Sequence, residues 1–138
     1  MRESHLVTRF YDIDAANERL AEVRPLLESL RSDRDEVAAL QAEVQRQRAG
    51  NGSERHAEEV RDAEGEVRAL VARMERAVAQ IVAWDVTLRD IATGLIDFPA
   101  LVSGRPVWLC WRLGEGDIAW WHETTEGFSA RKPLAELT

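Results

Sequence analysis

The sequence has little cysteine and no long apolar runs. Its single cysteine, Cys110, excludes a framework of intrachain disulfide bonds and fits a reducing compartment. No apolar run is long enough for a membrane span, and the first residues lack the apolar core of a signal peptide. The formal net charge of −7 disfavours binding to nucleic acid or to anionic membranes. We therefore expect a cytoplasmic protein with one domain over residues 1–138, and neither nucleic acid nor membrane as a partner.

Heptad spacing of apolar residues dominates positions 12–93 and predicts a long antiparallel helical hairpin. Asp12 is the predicted N-cap, with Asp14 in the first turn. Pro25 interrupts the first seam and predicts either a kink or a short helix followed by a long one. Breaker residues at 49–53 predict the tip of the hairpin, with Ser53 capping the second helix. The second helix is expected to end at Thr93, with Gly94 in the usual position after it. Its seam alternates in steps of three and four: Val60, Ala63, Val67, Leu70, Met74, Ala77, Ile81, Trp84, Leu88 and Ile91.

A stripe of valines lies beside the second seam. Its members are Val71, Val78, Val82 and Val86. Two helices bury one seam between them and would leave this stripe in water, so it is expected to cover the sheet or to meet another subunit. We expect a homodimer through the hairpin, built as a four-helix bundle with twofold symmetry. A partner of another sequence is the second kind of protein partner that the sequence leaves open.

Residues 94–137 alternate apolar runs with turn sequences and predict an antiparallel meander. The fold class is therefore α+β, with a coiled-coil-like helical hairpin packed on a small antiparallel sheet of three to four strands. The fourth strand is expected at residues 6–11, as an edge strand. Pro99 predicts an edge or a bulge in the first run, and residues 124–138 are expected to cover one face of the sheet.

The turn Gly114-Glu115-Gly116 determines the predicted register. A three-residue loop with Gly116 in the left-handed region pairs four positions across it: Leu113 with Asp117, Arg112 with Ile118, Cys110 with Trp120, and Trp108 with His122. One face then carries Trp108, Cys110, Arg112, Ile118, Trp120 and His122. The other face carries Val107, Leu109, Trp111, Ala119 and Trp121, which suits packing against the helices. A four-residue loop would instead separate His122 from Cys110 and Arg112.

Several motifs resemble those of DUF2203, a family of bacterial proteins of unknown function. They are Tyr11-Asp12-Ile13-Asp14-Ala15-Ala16-Asn17, Val23-Arg24-Pro25-Leu26-Leu27, Gly94-Leu95-Ile96-Asp97-Phe98-Pro99, Leu109-Cys110-Trp111-Arg112-Leu113-Gly114-Glu115, Trp121-His122-Glu123, and Gly127-Phe128 with Arg131 and Pro133. The resemblance spans nearly the whole chain and is most specific in its last 45 residues. Asp14-Ala15 departs from the paired acids usual in that family. The resemblance implies no activity, because the family has none established.

His122 is the first candidate for chemistry. With the adjacent Glu123 it forms a candidate pair of ligands for a divalent metal ion, or it carries a proton. The alternative is an imidazole that is hydrogen-bonded at a strand end and only stabilises the fold. Cys110 is either a small buried hydrophobic residue or, with His122 nearby, a nucleophile.

Asp97 lies in an apolar run, where a carboxylate needs a partner. Arg112 is its predicted partner in a salt bridge, and the alternative is an anionic ligand between Arg112 and Arg131. Trp108 and Trp120 either stack on a planar ligand or form cross-strand pairs that stabilise the sheet.

Three functions remain open on the sequence. The first is a non-enzymatic binding or scaffold module with a small-ligand or metal site around His122. The second is a small enzyme in which His122 is the general acid or base and Arg112 binds an anionic substrate. The third is a coiled-coil adaptor in which the aromatic and charged cluster only stabilises the sheet.

Overall fold

The computed structural model describes residues 9–50 and 54–137, which form two long helices followed by a five-stranded antiparallel sheet. Helices α1 and α2 are Ile13–Ala49 and Glu54–Ala83. Strands β1 to β5 are Thr87–Asp90, Leu95–Val102, Arg105–Arg112, Trp120–Glu123 and Lys132–Pro133. The predicted α+β fold is confirmed, although the sheet has five strands rather than three to four. No described helix combines the length and apolar character needed to cross a membrane.

Helix α1 begins as predicted. The side chain of Asp12 accepts a hydrogen bond from the amide of Ala15 at 2.7 Å, and Asp14 lies in the first turn. The helix runs without a break from Ile13 to Ala49 and includes Pro25, so the prediction of a short first helix is wrong. Pro25 is exposed, and its ring therefore lies on the solvent side of the helix. The Ser53 cap falls outside the described residues.

Helix α2 ends ten residues earlier than its apolar spacing predicted. It stops at Ala83, Asp85 adopts a positive φ of 62°, and the chain turns directly into β1. The spacing was misleading because Trp84, Leu88 and Ile91 do pack against the core, but from a turn, a strand and a second turn. The β-branched pair Val86-Thr87 was the local sign of a strand.

An ion pair between Asp33 and Arg73 joins the two helices. The Arg73 guanidinium donates to both carboxylate oxygens of Asp33, at 2.9 and 2.5 Å, and Asp33 is 3% exposed. The hydrogen bonds from Arg73 hold the pKa of the Asp33 carboxyl below its usual range. The pair therefore stabilises the hairpin above pH 4, approximately the pKa of an unfolded aspartate, and the stabilisation is lost as the pH falls through the lower folded-state value.

We expect the variant Arg73→Met to be less stable than the wild type at pH 7, with a difference that shrinks below about pH 4. Urea unfolding at pH 7 and pH 3 measures this. Arg48→Met is the matched control. Arg48 also bonds a carboxylate of the other helix, Glu64 at 2.5 Å, but the Glu64 side chain is 39% exposed whereas that of Asp33 is 5% exposed, so this variant should differ little from the wild type. A difference for Arg73→Met that does not change with pH would contradict this account.

The five strands are hydrogen-bonded in chain order. Ser103 and Gly104, with φ of 52° and 77°, form the two-residue turn between β2 and β3. The predicted edge strand at residues 6–11 is not present in the described part of the chain, since residues 9–11 are not a strand and residues 6–8 lie outside it. Strand β1 is the edge strand next to β2, and it pairs with β2 only from Leu95 to Asp97. Beyond it the amide of Tyr11 donates to the carbonyl of Pro99 at 2.7 Å, so Pro99 lies where β2 has no strand on its outer side.

The register between β3 and β4 is the predicted one, but the loop is different. Cys110 pairs with Trp120 and Trp108 with His122, as expected. The pairs of Leu113 with Asp117 and Arg112 with Ile118 do not form, because residues 113–119 make a longer loop that is not a strand. The positive φ belongs to Gly114, at 101°, and not to Gly116.

The two faces of the sheet differ as their sequence alternation predicted, except at Ile118 and Ala119. Ala119 was predicted on the face toward the helices, but it is exposed in the loop before β4. The face toward the helices contributes Ile96, Phe98, Ala100, Val107, Leu109, Trp111 and Trp121 to the core. Ile118 also belongs to this core, although it was predicted on the opposite face, and its amide donates to the side chain of Asn17 in α1 at 2.9 Å. The opposite face lies under the segment after β4. Asp97, Cys110 and His122 are buried there.

Candidate metal site

Asp97, Cys110 and His122 bring three different ligand atoms together. They lie on the adjacent strands β2, β3 and β4, and Asp97 pairs directly with Cys110. The carboxylate, thiol and imidazole atoms all lie within 4.8 Å of one another, and each residue is at most 2% exposed. The register predicted Cys110 and His122 on one face, with Asp97 brought in by the neighbouring strand. The structure places all three together.

The His122 ring is fixed by hydrogen bonds at both nitrogens. Nδ1 lies 2.8 Å from the carbonyl oxygen of Glu123, and Nε2 lies 3.1 Å from each carboxylate oxygen of Asp97. A carbonyl oxygen only accepts hydrogen bonds, so Nδ1 carries a proton and donates it. In the neutral ring Nε2 then presents a lone pair to the carboxylate.

Arg89 is the partner of Asp97, and the predicted partner Arg112 is wrong. Nε of Arg89 donates to the carboxylate of Asp97 at 2.8 Å. Arg89 lies in a register shift of β1, between residues that pair with Ile96 and Leu95, and such irregularities redirect side chains. Sequence reasoning missed Arg89 because it extended α2 through residues 84–93. Arg112 is exposed, with its guanidinium 5.0 Å from the ring of Phe128.

Glu123 contributes its backbone and not its carboxylate. The Glu123 side chain forms an ion pair with Arg105. Strand alternation turns it away from His122, its neighbour along β4. The predicted ligand pair of His122 and Glu123 is therefore not brought together. Asp97 and Cys110 take the place that Glu123 had in that prediction.

Arginines occupy the faces of the two predicted tryptophans. The guanidinium of Arg89 lies 5.0 Å from the Trp108 ring, and that of Arg131 lies 4.7 Å from the Trp120 ring. Arg131 also donates to the carboxylate of Glu115 and to the sulfur of Cys110, the latter at 3.8 Å. In each case an arginine of the fold covers one face of the ring, and that face is not free for a planar ligand.

A cavity of about 310 Å³ adjoins the three ligand residues. Arg89 lines one side, and the segment Thr124 to Phe128 lines another. The predicted role of residues 124–138 as a cover thus applies to this cavity, although the segment also contains β5 and two short 3-10 helices.

Burial raises the pKa of the Cys110 thiol to about 12, and the negative charge of Asp97 acts in the same direction. The metal-free thiol therefore stays protonated at neutral pH, which disfavours its role as a free nucleophile.

We expect a chelator-treated sample at pH 8 to react with a thiol reagent at least about a hundredfold more slowly than the same protein in denaturant. Equal rates under the two conditions would show that Cys110 is neither buried nor protonated.

Comparison with known proteins gives a family and no activity. No curated protein and no solved structure matches the chain. A model of an uncharacterized conserved protein family, DUF2203, matches residues 9–134. Because this match covers nearly the whole chain, the protein belongs to the DUF2203 family.

Proposed function

We propose that the protein is a binding module that holds a divalent metal ion of the zinc type between Asp97, Cys110 and His122. The observation that carries this proposal is the convergence of the three ligand atoms within 4.8 Å, all buried on one face of the sheet. Zinc is bound by thiolate, imidazole and carboxylate ligands at about 2.0–2.3 Å, so tetrahedral ligands lie between three and four ångströms apart. The separations fit such a site after small side-chain rotations.

The arrangement of His122 and Asp97 adds support. A lone pair on Nε2 and an ionised carboxylate are both acceptors, and at 3.1 Å they need a proton or a cation between them. A metal ion would satisfy both. Glu123 would orient the imidazole through its carbonyl, and Arg89 would orient the carboxylate, as second-shell groups do in metal sites.

Three protein ligands leave one position of a tetrahedral ion open. In this structure that position would face the adjoining cavity, which suits a site that binds a further molecule better than a closed structural site. We therefore place ligand binding, rather than stabilisation of the sheet alone, at the centre of the proposed function.

Titration of chelator-treated protein with Co²⁺ tests the proposal. We expect one ion per chain and a sulfur-to-cobalt charge-transfer band, because Cys110 would bind as the thiolate. Cys110→Ser should abolish the band. His122→Ala should weaken binding by more than the roughly 10- to 100-fold cost of second-shell changes.

Glu123→Gln is the matched control. Glu123 is adjacent to His122, but its carboxylate pairs with Arg105, so this variant should bind Co²⁺ like the wild type. Absence of a charge-transfer band in the wild type would refute the proposal. So would a wild-type affinity in His122→Ala.

The geometry gives less support to the two other functions. An enzyme that binds an anionic substrate through Arg112 needs that residue in the cavity, and Arg112 lies instead against Phe128. A pure adaptor would need the buried carboxylate and imidazole only as a hydrogen-bonded pair that stabilises the sheet, and it leaves the convergence of a thiol on that pair without a role. A cytoplasmic location stays a prediction.

We further propose that the hairpin associates with a second copy of the chain. Val71 and Val82 are 38% and 59% exposed, and an apolar groove of about 480 Å³ runs beside Val71 and Val78. Arg34 and Glu75 line the same groove, and a twofold axis that passes between them brings each near the opposite charge of the other copy. Val86 does not belong to this surface, because it is buried in the core of the chain.

Light scattering at micromolar concentration tests this association. A dimer that is lost in Val82→Glu supports it, because a charge at the most exposed valine opposes burial of the stripe. A monomeric wild type contradicts it.

A further inference from the structure

Arg89 differs from Arg131, the other arginine that contacts a ligand residue of the proposed metal site, in how its donors are used. Its Nε donates to Asp97, and its guanidinium stacks on Trp108. Within residues 9–50 and 54–137, its two Nη groups have no hydrogen-bond acceptor. In contrast, the Nη groups of Arg131 donate hydrogen bonds to Glu115 and Cys110. Arg89 lines the cavity, so its Nη donors are available to a ligand that binds there.

The charges around the site favour an anion once a divalent ion is bound. The Asp97 carboxylate and the Cys110 thiolate together neutralise such an ion. Arg89 then remains as a positive charge at the wall of the cavity, since its carboxylate partner is shared with the metal. Glu126 lines the same cavity and opposes an anion. Both residues are exposed and solvent screens both charges. However, Arg89 is held beside the site by its hydrogen bond to Asp97, whereas in the part of the chain that the structure describes no bond holds the Glu126 side chain to a ligand residue.

We propose that the open coordination position binds an oxyanion, one oxygen of which contacts the metal while another accepts hydrogen bonds from the Nη groups of Arg89. This inference rests on the proposed metal site. A guanidinium fork matches the planar arrangement of carboxylate or phosphate oxygens. The ligand is small, because a volume of about 310 Å³ is at the lower end of small-molecule sites. Small organic acids and inorganic phosphate share the required chemistry.

The visible spectrum of the Co²⁺-loaded protein reports binding at the open position. Acetate and phosphate are added separately at constant ionic strength maintained with perchlorate. We expect saturable changes of the cobalt bands with at least one of them, and the tighter anion identifies the class. Chloride is the control for an anion that offers only one contact atom.

Two variants should act in opposite directions. Arg89→Gln should lower the affinity of the Co²⁺-loaded protein for the anion by about tenfold or more, because charge-assisted hydrogen bonds are lost. Glu126→Gln should raise the affinity for the anion, because it removes a negative charge from the wall of the cavity. Arg112→Gln is the matched control, because Arg112 is also an exposed arginine stacked on an aromatic ring but does not line the cavity.

The outcomes separate this inference from the metal site itself. Cobalt content is measured for each variant, and the anion titration is made at saturating Co²⁺. If Co²⁺ does not bind the wild type, the proposed function fails first. If Co²⁺ binds but neither anion changes the spectrum, or if Arg89→Gln and the wild type bind the anion equally, the oxyanion inference is overturned and the metal site stands.

Discussion

Replacing Gly94 with alanine is expected to destabilise the protein by about 2–5 kcal/mol. Gly94 is buried in the turn between β1 and β2 with a φ of 65°, a left-handed conformation that costs an L residue about 1–2 kcal/mol. A Cβ atom at this position would lie 2.5 Å from Cγ and Cδ1 of Leu113 and 3.0 Å from its Cβ, so overpacking adds about 1–3 kcal/mol. Chemical denaturation measures the sum.

Two other glycines separate the conformational cost from the steric cost. Gly104 has a φ of 77° but no atom near its added Cβ, so Gly104→Ala should cost only the conformational part, about 1–2 kcal/mol. Gly116 has neither a positive φ nor a close neighbour, and Gly116→Ala should stay within about 0.5 kcal/mol. If Gly94→Ala and Gly104→Ala are equally stable, the contact of Gly94 with Leu113 does not exist.

The second large effect is expected at Trp111, whose side chain is fully buried between the sheet and the helices. Trp111→Ala should cost about 3–5 kcal/mol, the usual range for deleting a large core side chain. Trp111→Phe should cost less, about 1–2 kcal/mol, because it keeps most of the apolar volume and loses the bond from Nε1 to the carbonyl of Gly116 at 2.7 Å.

Trp108 is the matched comparison on the same strand. It lies three residues away, on the opposite face, and is only half-buried. Trp108→Ala should therefore cost clearly less than Trp111→Ala. The reverse order in thermal or chemical unfolding would mean that the two faces of β3 are exchanged.

Strands β2, β3 and β4 were predictable because local features mark them. Ser103 and Gly104 mark the turn between β2 and β3, and the alternation along β3 and β4 indicates which residues share a face. The pairing of Trp108 with His122 was predicted correctly, although the three-residue loop on which that prediction rested does not form. The end of α2 was not predictable from spacing alone, because Trp84, Leu88 and Ile91 pack toward the core in both a helix and the observed turn and strand.

The candidate site was predictable only in part, for the same reason. Cys110 and His122 follow from the register, and Asp97 follows from its place in the neighbouring run. The contact of Arg89 with Asp97 depends on the position of Arg89 in β1, a strand that was not predicted. The loop before β4 is held by the hydrogen bond from the amide of Ile118 to the side chain of Asn17, 101 residues away along the chain. Contacts between residues so distant leave no periodic pattern in the sequence.

The outer part of the hairpin sets a distance. Residues that pack with the common core end at Leu30 in α1 and begin at Met74 in α2. Removing seven residues from each helix beyond these points would keep the interhelical phase and shorten the hairpin by about 10 Å. The length of the two helices therefore sets the distance from the sheet to the helix ends at Ala49 and Glu54. That distance can change without any change in the residues around His122.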